Sequence, residues 1–102
     1  MIFSKELQDD VRSGAITVSF RLWKRPKVKT GGRYPVGSGA VDGSGGGQIE
    51  VDSIELIPFA AITAADVRQA GEPDRETLRR RAAHAGPIHD DTLLYRVEFH
   101  LV

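Results

Sequence analysis

Thr17, Ser19, Arg21 and Trp23 share one parity of a short stretch and bring together two hydroxyls, a guanidinium and an indole. Four cations, Lys24, Arg25, Lys27 and Lys29, follow at once. Cations neutralise phosphates, a guanidinium forks onto two oxygens of a phosphate or carboxylate, and an indole offers a flat face on which a base can stack. The set points to an anionic, ring-bearing ligand, a nucleic acid or a nucleotide. Each residue also has a plainer reading. Trp23 could pack on a second sheet face, Arg21 could pair with a strand carboxylate such as Glu50, Asp52 or Glu55, and Lys24 to Lys29 could be a solvated loop.

Catalytic chemistry has fewer handles. Ser19 is the one candidate nucleophile, and it has no adjacent base in the sequence to take its proton. His84, His89 and His100 match no zinc spacing, and there is no cysteine to join them, so neither a metal nor a cofactor is expected. His100 alternates with Arg96 and Glu98, which suits a surface or cross-strand role. Glu55, Glu72, Glu76 and Glu98 show no pairwise spacing that marks an acid–base couple. Arg79, Arg80 and Arg81 point about 100° apart on a helix and read as solvated surface.

Charge is concentrated where these residues lie. The 102-residue chain carries 14 basic and 14 acidic side chains, a formal net charge of zero. Between Val11 and Val41, however, stand Arg12, Arg21, Lys24, Arg25, Lys27, Lys29 and Arg33, with no acid among them. A neutral total with one basic block implies a local anion-binding face, not general stickiness. The length fits a single domain over 1–102 with one core. No apolar run reaches the roughly 20 residues of a membrane span, and MIFSKELQDD lacks the pattern of a signal peptide, so a cytoplasmic location is expected.

The elements that must position these residues follow from periodicity. Ser4 can cap a helix over 5–12 that Gly14 closes. Ile16 to Trp23 alternates as a half-buried strand, with Ile16, Val18, Phe20 and Leu22 inward and Thr17, Ser19, Arg21 and Trp23 on the other face. Gly31 and Gly32 mark a turn before a short strand over 33–36. Residues 37–47 are rich in glycine and serine and read as a flexible loop. The lysine of a phosphate-binding G-x-x-x-x-G-K-[ST] loop is missing from it. In the strand expected over 48–57, Ile49 and Val51 have one parity and Ile54 and Leu56 the other, which requires a bulge near Asp52 or Ser53. Pro58 should end that strand. Thr63 and Asp66 form a capping-box pattern before a helix that Gly71 closes, and Pro73 should open a second helix running to about His84. A last strand covers 92–102. The order argues for an α+β fold, a small β-barrel with short helices packed at its edges.

This arrangement resembles the ASCH domain family of the PUA-like superfamily. The stretch Gly14-Ala-Ile16-Thr-Val-Ser19-Phe-Arg21 resembles the family pattern G-x-K-x-x-[E/T]-x-R, and Lys29-Thr-Gly31-Gly-Arg-Tyr34 resembles its K-x-G-x-x-[Y/F] turn. The layout from Ile54 through PFAAITAAD to the last strand is also similar. The resemblance implies a PUA-like barrel and an RNA-binding or nucleotide-binding module that uses the basic strand and loop. Some members resemble amidohydrolases of acylated cytidines, and others ribonucleases, so hydrolysis of modified nucleosides or of RNA is the alternative. Ile16 stands at the family's lysine position and Ser19 at its acid or threonine position, so that amidohydrolase mechanism does not carry over intact. Whether the protein is an enzyme stays open at this point.

Overall fold

The computed structural model describes residues 3, 5–36, 47–83 and 86–102; Ser4, His84 and most of the glycine-rich stretch, 37–46, lie outside them. Helix α1 (Lys5–Ser13) leads into strand β1 (Val18–Arg21). Gly14 ends the helix with a positive φ of 84°, a conformation that favours glycine. Strands β2 (Arg33–Pro35) and β3 (Gln48–Pro58) follow. A 3-10 turn (Phe59–Ala61), helices α2 (Ala64–Gln69) and α3 (Arg75–Ala82) and strand β4 (Leu93–Leu101) complete the chain. No helix among the described residues is long and apolar enough to cross a membrane.

The four strands form one antiparallel sheet in the order β1-β4-β3-β2. Among the described residues the expected barrel is not closed. Closure needs the two edge strands to pair with each other in a continuous staggered ladder. Here the edges are β1, of four residues, and β2, of three, with the longer β3 and β4 between them. The bulge is where the parity break demanded it. Val51 faces Phe99, but the next pair is Ser53 with Glu98, so Asp52 has no opposite number. The extra residue keeps Ile49, Val51 and Ile54 on one face.

Two apolar clusters form where one core was expected, and register assigns them to opposite faces of the sheet. The first unites Val18, Phe20 and Leu94 with Phe59, Ile62, Val67, Ala70, Leu78 and Ala82 from the 3-10 turn and the two later helices. The second unites Val51, Ile49, Val97 and Phe99 with Val11 of α1, Phe3, Val28 and Val36. Ile16 is buried as expected but joins the second cluster, because regular alternation begins only at Val18. An open sheet buries both faces by laying α1 on one side and α2 with α3 on the other.

The later helices start and stop for local reasons. Thr63 accepts from the Asp66 amide and Asp66 accepts from the Thr63 amide, a complete capping box. Asp74, not Pro73, caps α3: its side chain accepts from the Thr77 amide at 2.7 Å. Pro73 therefore precedes the cap, and Glu72 lies outside the helix, where it is buried and paired with Arg81 at 2.8 Å. Pro58 ends β3 from inside the strand, still paired with Leu93. Arg79 is not free surface either. It lies 4.1 Å over the Phe59 ring, donates to the Ile88 carbonyl and pairs with Asp90 at 2.9 Å.

Candidate nucleic-acid interface

Register decides which of the candidate residues share a surface. Ser19 faces Val97 and Arg21 faces Tyr95, so both lie on the face of the second cluster, opposite to Val18 and Phe20. Trp23 continues that face beyond the end of β1 and packs against Tyr95, ring centroids 6.1 Å apart and 38° between planes. Both rings are half-buried against the second cluster. Leu56 is paired with Tyr95 and Leu93 with Pro58, which puts both leucines on the same face. They are 50% and 51% exposed. Together with Trp23 and Tyr95 they make an apolar and aromatic ledge along the end of the sheet.

The basic loop is pinned near its far end. Lys24, Arg25, Lys27 and Lys29 are exposed, while Val28 between them is buried in the second cluster. That single inward side chain anchors the loop to the core. At the far end the Lys29 amide donates to the Tyr34 hydroxyl at 2.8 Å. Gly31, with φ of 83°, makes the turn, and its amide donates to the Val51 carbonyl at 2.7 Å. A Cβ at Gly32 would come within 2.6 Å of the Tyr34 hydroxyl oxygen, so a side chain there would displace the bond that holds Lys29. Tyr34 thus tethers the far end of the loop that begins at Trp23. Leu22, Trp23, Lys24, Arg25, Pro26 and Lys27 line an open depression of about 480 Å³.

Arg21 and Ser19 are more engaged than their types alone imply. The Arg21 Nε donates to Ser19 Oγ at 2.8 Å, and its guanidinium lies 5.2 Å from the centroid of the Phe3 ring. Burial pulls the Arg21 pKa below the usual arginine value, because a charge is less favourable away from water. The three carboxylates that could have paired with Arg21 are engaged elsewhere. Glu50 meets Arg33, Asp52 meets His100 and Glu55 meets Arg96. Ser19 is oriented by a cation, and among the described residues no histidine or carboxylate bonds to its hydroxyl. A serine nucleophile requires such a base. Thr17 is half-buried at the strand start, its amide donating to the Gln69 carbonyl and its carbonyl accepting from Phe99.

The structure brings Ser19, Arg21 and Trp23 onto one face, and Lys24, Arg25 and Lys27 line the depression together with Trp23. Tyr95, Leu56 and Leu93 were missed as members of this surface. The signal for Leu93 and Tyr95 was present in the alternation Leu93, Tyr95, Val97, Phe99, Leu101 on one face of β4, and Leu56 joins them from β3 opposite Tyr95. What the sequence could not supply was the pairing that puts Arg21 opposite Tyr95. On the other face, Arg96 is 15% exposed and bonds Asp66 of α2, itself 14% exposed, together with Glu98. Burial alone would raise the Asp66 pKa. Hydrogen bonds from Thr63 and Arg96, with the charge of Arg96, outweigh it and hold the carboxyl below its usual value. His100 lies directly across from Glu50, as its strand position suggested.

No family model matches the sequence, and no curated protein matches it. Solved structures do. An ASCH domain from Lactobacillus crispatus JV V101 superposes with a TM-score of 0.70 at 17% identity, over 94% of this chain and 70% of the other. A protein of Enterococcus faecalis V583, under the family designation DUF984, gives 0.70 and 17% over 95% of this chain and 67% of the other. The fold is that of an ASCH domain, with the sheet open among the described residues.

Proposed function

We propose that this protein is a nucleic-acid-binding module, with RNA or a free nucleotide as its ligand, and that the ledge and the basic loop form the binding face. One observation carries the reading. A half-buried Trp23–Tyr95 ring pair stands at the start of a loop whose four cations are exposed and whose far end is held by Val28 and Tyr34. Stacking platforms beside positive charge are what unpaired bases with attached phosphates require. Lys24, Arg25, Lys27 and Lys29 would contact phosphates. Trp23 and Tyr95 would take bases, and Leu56 and Leu93 would extend the apolar footing. Arg21 and Ser19 would shape the floor, with the Ser19 hydroxyl and Thr17 offering polar contacts. The reading carries with it a cytoplasmic setting, where such ligands are met.

The reading of the site as a hydrolase has less support. Ile16 is buried at the family's lysine position, and Ser19 is oriented by Arg21. Trp23 is the only tryptophan, so its fluorescence reports on the site directly. Titration with nucleotides and with short single-stranded RNA should change the emission saturably, and a Lys24/Arg25/Lys27 triple alanine variant should need much more ligand for the same change. Unchanged emission with RNA and with nucleotides alike would remove the proposal.

A further inference from the structure

We propose that Glu50, Asp52 and His100 form a binding site for one divalent transition ion of the zinc type, on the sheet face opposite the basic ledge. The three residues are remote in sequence and are brought together by strand pairing. Glu50 of β3 lies directly across from His100 of β4. Asp52 is the residue that the bulge leaves without an opposite number. Its Oδ1 comes within 2.8 Å of His100 Nδ1. Bulges commonly re-aim a side chain in this way. No spacing rule finds such a set in the sequence, because the ligands come from two strands and from an irregularity in one of them.

The geometry and chemistry suit a small, imidazole-preferring ion. One imidazole nitrogen and two carboxylate oxygens lie within 4.8 Å of one another. Ligands at about 2.0–2.2 Å from a tetrahedral ion stand roughly 3.3–3.6 Å apart. His100 Nδ1 already lies 2.8 Å from Asp52, and Glu50, whose 3.8 Å approach is to the other ring nitrogen, must turn toward the nitrogen that takes the ion. The side chains are exposed or half-exposed, so small rotations bring them in, and water can complete the coordination. The imidazole favours zinc, copper or nickel over magnesium and calcium, which prefer all-oxygen sites.

Arg33 supports the arrangement from outside. Its Nε donates to Glu50 Oε1 at 3.2 Å, while Oε2 is the oxygen turned toward His100. An outer partner of this kind fixes the orientation of a ligating carboxylate. Two carboxylates stand against one guanidinium in the cluster, an excess of acidic groups that favours a dication. The alternative is that the three groups are only an exposed hydrogen-bonded network, of the kind that contributes little to stability.

Calorimetric titration of the tag-free, chelator-treated chain with Zn2+ separates the two. One ion per chain is expected. Outer partners alone typically alter metal affinity about 10–100-fold, so His100→Ala and Asp52→Asn, which remove ligands, should each weaken binding at least about tenfold. His89→Ala should bind as the wild type does, and Mg2+ should give no heat. Histidine ring resonances of the wild-type protein locate the ion independently of any variant. Zn2+ should shift His100 before the other two histidines. Uptake well below one ion per chain, equal affinity in His100→Ala, or a first shift at His84 or His89 would overturn the proposal.

Discussion

The basic loop makes the binding proposal quantitative. Its four cations are all exposed, and in the proposed complex all four meet one strand of phosphates. Each phosphate neutralised on a single strand contributes about −0.7 to the slope of log affinity against log salt, so four contacts give about −2.8. Raising salt from about 50 to about 200 mM should then weaken binding about 50-fold. Replacing Lys24, Arg25 and Lys27 with alanine leaves one contact, a slope of about −0.7 and a loss of only about threefold over the same range. Fluorescence anisotropy with a labelled single-stranded RNA of about eight nucleotides measures both slopes. Trp23→Phe serves as a control: it should weaken binding without changing the slope, because stacking releases no counterions. A triple variant that keeps the wild-type slope would refute the reasoning, since the cations that matter would then lie elsewhere.

Three further outcomes follow from the packing. Gly71 has a φ of 79°, and a Cβ there would run into Ile16, with Ile16 Cγ1 only 2.8 Å away. Gly71→Ala should therefore cost about 2–4 kcal/mol by urea unfolding, combining backbone strain with overpacking. Gly32→Ala should displace the Tyr34 hydroxyl from the Lys29 amide, lowering stability by about 1 kcal/mol and RNA affinity with it. Tyr34→Phe, which removes the same bond without a clash, should reproduce the affinity loss. Asp66 has a folded pKa below its unfolded value of about 3.9. Its contribution is present above that unfolded value and is lost as pH falls through the lower folded one. Asp66→Asn should cost about 1–3 kcal/mol at neutral pH and make the stability loss between about pH 5 and pH 2 shallower. Parallel stability curves for wild type and variant would contradict this.

The local features were legible because local chemistry determines them. The Thr63–Asp66 capping box, the Gly14 and Gly71 helix ends and the β3 bulge each rest on residues close in sequence. Where the expectation failed, a competing local or long-range interaction had won. Pro73 favours a helix start, but Asp74 offers the Thr77 amide a side-chain acceptor, and the cap determined the boundary. Arg79 and Arg81 read as surface because their partners Phe59, Asp90 and Glu72 lie on other elements. Ile16 was correctly placed inside but on the wrong face, since alternation does not reveal where a strand begins. The Glu50, Asp52 and His100 cluster was invisible for the same reason as the Tyr95 ledge: both depend on which strand lies beside which.

The open sheet is what gives the candidate site its character. In a closed barrel, β1 would pair on both sides. With β1 at the edge, its second face ends at Arg21, and the chain departs through Trp23 into the loop. Strands β3 and β4 pair on past the end of β1, Pro58 with Leu93, and Leu56 and Leu93 lie exposed on that face. The loop leaves from the shorter strand, so its cations follow Trp23 at this end of the sheet. Leu93→Glu tests whether a ligand rests on the ledge. It places a carboxylate on the ledge at a position half-exposed already, so folding should be little affected. RNA binding should fall because the charge repels phosphate and the apolar footing is lost, by about 1–3 kcal/mol if one base is displaced. A Leu93→Glu protein that binds RNA as well as the wild type would show that the bases do not rest there, and would confine the ligand to the loop.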